Sequence, residues 1–365
     1  MPKKIVLSYA FSSAGDGDSE VISNDLIVLL DSINSLGSLS AAAKAVGYSY
    51  RHLWDELNHW EEEFGEPLVS RSRGRSCELT AFGKRLLWAE KEVQAKYASE
   101  IASLRAGIEQ AYARATDPDA EVLTLHGCPD EALMQFRDEA TLQKLYLEIN
   151  FNSSLKGLQD LHEGRCQIAG FNFPIGAAAH SKAAETFAPY LANDVMLIGF
   201  AVRIQGIAVA KGNPLGLHSF LDVALKKATF VNRSKGTGTR VLADELLRTS
   251  GLKESDVIGY QNEVGSHSSV AASIASGKAD AGLCIQSVAS KMHLDFIPLV
   301  REVYYLVAKK DFLDSEGGQK LTALLSDPAW LKKGANLAGY DFSECGKVFD
   351  ISHLGWNLNA EKAEH

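Results

Sequence analysis

The stretch that decides the fold at the start of this chain is GSLSAAAKAVGYSYRHLWDELNHWEEEFGEPLVSRSRGRSCELTAFG, residues 37–83. Its small apolar residues at 39–46 predict a short helix, and Gly47 stands where the chain has to turn sharply. Ser49 predicts the N-cap of a second helix running to about Phe64, because its hydroxyl can accept a hydrogen bond from a free backbone N–H group. Two helices joined by a tight turn predict a helix-turn-helix.

Two short strands follow, at residues 68–70 and 77–79, and predict a β-hairpin wing. The loop between them carries three arginines, which are Arg71, Arg73 and Arg75. Guanidinium groups at the tip of a hairpin suit contacts with DNA phosphates or with the minor groove. The segment therefore predicts a winged helix-turn-helix DNA-binding domain, which we place at residues 1–80.

This stretch resembles the N-terminal domain of LysR-type regulators, and most closely that of the ModE-like, molybdate-responsive regulators. The resemblance is carried by Trp54 and by residues 37–43, 49–51, 67–71 and 79–83. It implies that the second helix enters the major groove of DNA. The residues expected to contact DNA at the start of that helix are Ser49, Tyr50, Arg51 and His52. Four apolar residues at helical spacing instead predict core packing, namely Leu53, Trp54, Leu57 and Trp60.

Composition limits the remaining possibilities. The chain has 365 residues with 46% hydrophobic content, enough for two or three globular domains. Its formal net charge of −9 argues against a coat of nucleic acid over the whole protein but leaves room for a local basic face on a DNA-binding domain. The five scattered cysteines have no metal-ligand spacing. No apolar run has the length of a membrane span, and the N-terminus is typical of a first strand and unlike a secretory signal, so we expect a cytoplasmic protein.

A long helix is predicted next, over residues 80–115, which are rich in Ala, Leu, Glu, Lys and Arg and lack proline. It carries an apolar seam at Leu86, Leu87, Val93, Tyr97, Ile101, Leu104 and Ile108. The simplest partner for such a seam is a second copy of the helix, and the LysR resemblance implies dimerisation through it. Packing against the protein's own domains is the alternative. We place this linker at residues 81–117.

Strand–helix alternation from residue 118 onward predicts a mostly parallel α/β sheet with helices on both faces. The predicted strands are residues 122–127, 147–152, 167–172, 195–200, 206–211, 229–232, 281–285, 296–299 and 304–309. Such a long alternation is too large for one sheet and predicts two lobes with a cleft between them. The expected fold is thus α/β and multidomain: a winged helix-turn-helix, a linker helix and a two-lobed domain at 118–365.

The two-lobed segment resembles type II periplasmic binding proteins, particularly the domains tied to molybdate and molybdenum-cofactor metabolism. The resemblance is carried by residues 153–158, 167–171, 203–206, 211–216, 232–240 and 275–283. Residues 171–173 depart from the histidine-containing turn expected there, so we assign that turn no ligand role.

Several loops of this segment predict an anion site, since serines and threonines stand at helix N-termini, where free N–H groups favour negative charge. The expected effector-binding residues are Ser153, Ser154, Arg203, Asn232, Arg233, Thr237, Gly238, Thr239, Arg240 and Ser266. Taken singly, each hydroxyl is explained by helix capping alone. As a set they suit a tetrahedral dianion, which also requires that no carboxylate compete.

These patterns predict a ligand-responsive transcription regulator that binds double-stranded DNA as a homodimer, or alternatively as a tetramer. Molybdate or tungstate is the first choice of effector, because both halves of the chain resemble molybdenum-linked families. A small organic acid or a molybdenum-cofactor fragment is the second choice. An enzyme or a transport-type binding protein fused to a DNA-binding domain is the third. We expect no catalytic residues, no cofactor and no metal ion ligated by the protein, since His126, His162, His267 and His293 are scattered.

Overall fold

The computed structural model describes residues 24–70, 77–116, 120–191 and 194–356. Its N-terminal domain has the elements α1 (Asp25–Leu36), α2 (Leu39–Ala45), α3 (Tyr50–Phe64), β1 (Val69–Ser70) and β2 (Glu78–Leu79). β1 and β2 pair antiparallel, so the predicted winged helix-turn-helix is confirmed. The expected wing contacts Arg71, Arg73 and Arg75 lie outside the described residues, as does the predicted first strand.

Apolar packing in the N-terminal core fixes the position of α3 against α1. Leu53 and Leu57 on α3 are fully buried together with Leu30 and Ile33 on α1, which confirms their predicted role in packing. Trp60 packs against the rim of this core and stays half-buried. The helix begins where expected, because Ser49 accepts a hydrogen bond from the His52 amide at 3.1 Å.

The predicted linker is one continuous helix, α4 (Ala81–Thr116). One of its faces is lined by alanines that are buried against the C-terminal domain, namely Ala95, Ala102, Ala106 and Ala113. Much of the predicted seam lies elsewhere on the helix and is exposed, with Leu104 at 68% and Val93, Tyr97 and Ile108 between 43% and 45%. The helix therefore packs on its own chain through small residues and leaves larger apolar residues uncovered.

The C-terminal domain is built on one mixed sheet with the strand order β4-β3-β5-β10-β6-β9-β7-β8. Its strands are β3 (Glu121–Gly127), β4 (Leu145–Phe151), β5 (Ile168–Pro174), β6 (Val195–Val209), β7 (Phe230–Arg233), β8 (Glu263–Val264), β9 (Ala281–Ile285), β10 (Asp295–Lys309), β11 (Tyr340–Asp341) and β12 (Val348–Asp350). Its helices are α5 (Glu131–Leu142), α6 (Ser154–His162), α7 (Lys182–Phe187), α8 (Phe220–Leu225), α9 (Gly238–Thr249), α10 (His267–Ala275), α11 (Gln286–Lys291), α12 (Lys310–Leu313), α13 (Glu316–Leu325) and α14 (Pro328–Gly334).

The expectation of a mostly parallel sheet is corrected by β6 and β10. Both strands run antiparallel to each other, β10 is antiparallel to β5, and β6 is antiparallel to β9. Parallel pairing is confined to β3, β4 and β5 on one side and to β7, β8 and β9 on the other. Two parallel groups separated by an antiparallel pair make two lobes, as predicted, but both lobes belong to one sheet and not to separate sheets as expected.

The boundary between two predicted strands around residues 203–205 is also wrong. β6 is a single 15-residue strand, and β10 is likewise continuous across the gap expected between 299 and 304, with register shifts at Pro298/Val300 and Tyr304/Tyr305. The polar residues read as a break remain in extended backbone because each side chain finds a buried partner. The two long strands cross from the first lobe (β3–β5) to the second (β7–β9).

Each lobe has its own apolar core. In the first lobe Phe136, Phe200 and Trp330 are fully buried between the sheet and α5 and α14. In the second lobe Phe230 and Tyr260 stack beneath α9. Among the described helices, none is both long and apolar enough to cross a membrane.

Candidate ligand cleft and DNA-contacting helix

The start of α3 presents the residues predicted to contact DNA. The Arg51 side chain is 93% exposed, and its Nε lies 4.0 Å from the carboxylate of Asp55, whose side chain is 70% exposed. Tyr50 is half-exposed, and Ser49 and His52 are exposed as well. An exposed ion pair of this kind is weak, so Arg51 can exchange Asp55 for a phosphate or a base edge at little cost.

We place the candidate ligand cleft where β6 and β10 pass between the lobes, and Arg203 of β6 is buried there. This guanidinium is 1% exposed; its Nε donates to Glu302 Oε1 at 2.5 Å, and its Nη1 donates to Asp130. Tyr340 donates its hydroxyl to the same Asp130 at 2.7 Å, and Arg203 also stacks over the ring of Tyr304. Burial alone would lower the pKa of Arg203, but Glu302 and Asp130 raise it well above its usual value. The charge of Arg203 is thus neutralised inside the protein.

The second oxygen of Glu302 extends the network into both lobes. It accepts hydrogen bonds from Asn172 Nδ2 at 2.8 Å and from Gln205 Nε2 at 2.9 Å. Gln205 Nε2 also donates to Thr239 Oγ1 at the start of α9, 3.0 Å away. On the first lobe, Ser154 Oγ donates to Asn172 Oδ1 at 3.3 Å. A chain of buried hydrogen bonds therefore joins α6, β5, β10, β6 and α9.

The lobes also touch directly at the mouth of the cleft. The Leu155 amide of α6 donates to the carbonyl oxygen of Gly236, in the loop before α9, at 3.0 Å. Gly238 needs to be a glycine, since a Cβ there would lie 2.2 Å from the Asn172 carbonyl oxygen. The first turn of α9 is therefore pressed against β5, and the N–H groups of Gly238 and Thr239 have no acceptor within their own helix.

Arg233, at the end of β7, has a different environment from Arg203. It is 1% exposed, and neither its Nε nor its Nη1 has a hydrogen-bond partner. Burial lowers the pKa of Arg233 to about 10, so the group is still charged at neutral pH. Desolvation also lowers the pKa of His267, at the start of α10, and the charges of Arg233 and Arg203 lower it further. His267 is therefore a neutral imidazole in the electrostatic field of the two arginines.

Three more polar atoms without partners are buried in this part of the domain, namely His267 Nδ1, Ser287 Oγ and Gln205 Oε1. Buried polar groups in folded proteins are normally hydrogen-bonded, so a group of orphans marks a place where water or a bound molecule completes the bonding. Arg233, His267, Ser287 and Gln205 therefore define the candidate ligand site, which we call the cleft quartet.

Several of the residues predicted to bind the effector have structural partners. Arg240 lies on α9, where its Nε donates to Asp244 at 2.9 Å and its Nη1 donates to Glu263 at 2.7 Å. Asn232 bonds the backbone of Tyr260 at 3.2 Å. Ser153 and Thr237 are N-caps, whose oxygens accept from backbone N–H groups three residues on, at 3.2 Å in both cases.

Ser266 caps α10 and faces the linker helix. Its Oγ and that of Ser269 both donate to the Ala95 carbonyl oxygen of α4 at 3.0 Å. Lys278 reaches Glu92 of the same helix at 2.5 Å. The second lobe is thereby attached to the linker one residue away from the buried imidazole of His267.

The first lobe is attached to the same helix further along. Arg137 Nη1 donates to the Ala102 carbonyl oxygen at 3.3 Å, and Ser103 Oγ donates to the Ile149 carbonyl oxygen at 3.1 Å. The linker helix therefore bridges both lobes on the side opposite the solvent-facing seam.

Comparison with known proteins agrees with this architecture. Residues 137–326, slightly more than half of the chain, match the PBP superfamily domain. The chain belongs to the PBP superfamily. Residues 25–84 match the bacterial regulatory helix-turn-helix protein, lysR family. This PBP superfamily member thus combines a LysR-type helix-turn-helix with a periplasmic-binding-protein-like domain, as the sequence predicts.

The curated relatives cover only parts of this PBP superfamily member. It is similar to the uncharacterized protein YvgK of Bacillus subtilis, with 31% identity over 203 residues, which are 54% of this chain and 64% of YvgK. It is 32% identical over 84 residues to the molybdenum transport protein ModE of Azotobacter vinelandii, covering 22% of this chain and 31% of ModE. The chain therefore spans less than two thirds of either relative. Among solved structures, the LysR family transcriptional regulator CbnR aligns with 15% identity and a TM-score of 0.39, covering 82% of this chain and 98% of CbnR.

The sequence patterns missed the acidic half of the cleft. Asp130 follows the predicted strand 122–127 and was given no role; in the structure it caps α5, accepting from the Leu133 amide at 3.0 Å, and also accepts from Arg203. Glu302 falls between two strands that were predicted to be separate. Asn172 lies in the turn that was given no ligand role. A charged residue in the middle of an apolar strand was the available signal for Glu302.

Proposed function

We propose that this protein is a DNA-binding transcription regulator, not an enzyme, whose cleft binds a small anionic effector in the cytoplasm. One observation carries the proposal: the buried, unpaired guanidinium of Arg233 lies between the lobes of a domain joined to a LysR-type helix-turn-helix. Holding such a charge without a partner costs folding free energy. A bound anion would offset that cost, so the cleft is suited to reversible occupation.

Molybdate and tungstate are the first effectors to test. The partial similarity to ModE supports them, as do the donors around the cleft. Arg233 would supply the charge, and the N–H groups of Gly238 and Thr239 would supply directed hydrogen bonds at a helix N-terminus. Ser154 is fully buried and would add a hydroxyl only by turning its O–H from Asn172 to the anion.

A small organic acid is the second candidate, and the buried carboxylates favour it. Asp130 and Glu302 are charges of −1 each, and Arg203 and Arg233 are +1 each, so these four buried groups sum to zero. The expectation that no carboxylate lies near the site is therefore not met. A neutral cleft suits a monoanion better than a dianion, because each added charge is desolvated on entry.

The linker helix would carry the signal to DNA. A ligand shifts an equilibrium only by binding its two states differently. If effector binding changes the angle between the lobes, the contacts of Ala95 with the second lobe and of Ala102 with the first cannot both stay as they are unless α4 moves. The exposed stripe of Val93, Leu104 and Ile108 would join two such helices in a dimer, so that this motion changes the spacing of two recognition helices.

The effector is tested by titration calorimetry of the full chain with molybdate, tungstate and sulfate. We expect heat and a rise in melting temperature with an anion that fits, and a loss of both in Arg233→Met. If none of these anions nor any small carboxylate gives heat or a thermal shift, the anion cleft is wrong. Equal responses to sulfate would leave the anion site in place but remove any specificity for metal oxyanions.

DNA contact is tested with two sets of variants in gel-shift assays over a range of salt. Neutralising Arg71, Arg73 and Arg75 together should weaken binding to operator and random duplex alike and reduce the salt dependence, because phosphate contacts release counterions. Arg51→Ala should weaken operator binding more than random binding. An inverted-repeat footprint is expected from a dimer. Wild-type affinity in the triple variant would exclude the wing from the interface.

A further inference from the structure

The hydrogen bonding of Gln205 indicates which chemical groups the effector carries besides its negative charge. The side chain is fully buried, and its Oε1 has no hydrogen-bond partner. The amide cannot be turned round, because Nε2 donates to the Glu302 carboxylate at 2.9 Å and an oxygen placed there would face a negative charge. The second contact of Nε2, with Thr239 Oγ1 at 3.0 Å, fits either orientation because a hydroxyl can donate or accept, so the Glu302 carboxylate decides it. The orphan atom is therefore an acceptor and not a donor.

An orphan acceptor has a definite requirement. A buried carbonyl oxygen without a donor forfeits hydrogen-bond free energy that water would otherwise supply. An O–H or N–H group on the bound molecule would restore it. A second anionic oxygen placed there would instead be repelled, since both atoms carry only lone pairs.

Arg233 needs hydrogen-bond acceptors, whereas Gln205 Oε1 needs a donor. The Nε and Nη1 of Arg233 are donors without acceptors, and Arg233 and Gln205 lie on β7 and β6, the two strands that flank β9. His267 Nδ1 and Ser287 Oγ can serve as donor or acceptor and so do not discriminate. The cleft quartet thus calls for negative oxygens on one side and a hydrogen-bond donor on the other.

We infer that the effector is an anion that carries a hydroxyl group, with its charged oxygens on Arg233 and its O–H on Gln205. Two chemical classes meet this description, the 2-hydroxy carboxylates and the singly protonated tetrahedral oxyanions such as hydrogen phosphate. The inference rests on the proposed anion cleft and narrows it. Molybdate, tungstate and sulfate carry no O–H at neutral pH, so they satisfy Arg233 but leave Gln205 unpaired.

The test uses pairs of ligands that differ by the hydroxyl. Calorimetry on the full chain compares hydrogen phosphate with sulfate, which have the same shape and charge, and lactate with propionate. In at least one pair the hydroxyl-bearing member should bind about tenfold to a hundredfold more tightly, because the analogue leaves a buried acceptor unpaired. The pair that discriminates tells whether the source is an oxyanion or a hydroxy acid.

Gln205→Met should collapse that ratio towards one while a weaker affinity for the anion persists, and Gln319→Met, an exposed glutamine on α13, serves as the control and should keep the wild-type ratio. If Gln205→Met fails to fold, the ligand pairs on the wild-type chain still decide. Binding of molybdate or sulfate as tight as that of every hydroxyl-bearing anion would overturn the inference while leaving the anion cleft intact. The absence of binding by the whole panel would overturn both.

Discussion

Replacing Arg233 by methionine should stabilise the ligand-free protein and at the same time abolish effector binding. Most buried arginines are paired, and removing one normally costs stability. Arg233 is 1% exposed and has no partner on Nε or Nη1. Methionine fills a similar elongated space without the charge, so the substitution removes the cost of desolvation and keeps most of the packing.

The size of the effect follows from the burial. Glu302 offsets part of the cost of burying Arg233, so the remaining cost is smaller than the about 3–5 kcal/mol of a fully uncompensated buried charge. For a domain of this size, 1 kcal/mol corresponds to about 2–4 °C in melting temperature. The melting temperature of the ligand-free protein should therefore rise by about 5 °C, as measured by scanning calorimetry.

Arg240→Met is the matched control. Arg240 is just as buried, but its guanidinium is bonded to Asp244 and Glu263, so its loss leaves two carboxylates without their counter-charge. Its melting temperature should fall. If Arg233→Met lowers the melting temperature as Arg240→Met does, or still binds the anions that bind the wild type, then Arg233 is a structural residue and the cleft has been assigned incorrectly.

Three further outcomes are expected. Leu104→Glu, on the exposed stripe of the linker, should convert dimers to monomers in light scattering and weaken operator binding; an unchanged mass would show that the stripe is not the interface. Ser269→Ala removes one of two donors to Ala95, so the effector affinity should hold while the effector-dependent change in DNA affinity shrinks; an intact change would mean that the signal takes another route. Burial alone would raise the pKa of Asp160, but bonds from Lys156, His126 and Arg165 keep it well below its usual value. Its contribution to stability is therefore present above about pH 4 and lost as the pH falls further, so Asp160→Asn should destabilise the protein at pH 7 and converge with wild type in acid melts, whereas a constant difference at all pH values would contradict this account.

Features that depend on neighbouring residues were predictable from the sequence. Ser49, Ser153, Thr237 and Ser266 each cap a helix at the position the pattern indicated, because capping joins a side chain to an amide three residues away. The long linker helix and the two lobes were predicted for the same reason. Periodicity and turn residues are local signals, so the structures they predict do not depend on which distant segments pack against them.

The role of each arginine, by contrast, depended on tertiary structure. Arg203 meets Asp130 and Glu302, which are 73 and 99 residues away along the chain. Arg233 and Arg240 stand seven positions apart in the same motif, yet only Arg240 receives carboxylates, because α9 turns it towards Glu263 while β7 ends with Arg233 inside the cleft. Sequence shows which residues carry charge. Whether a charge is already neutralised depends on which distant strands the fold brings together, and that decides which arginine is left for a ligand.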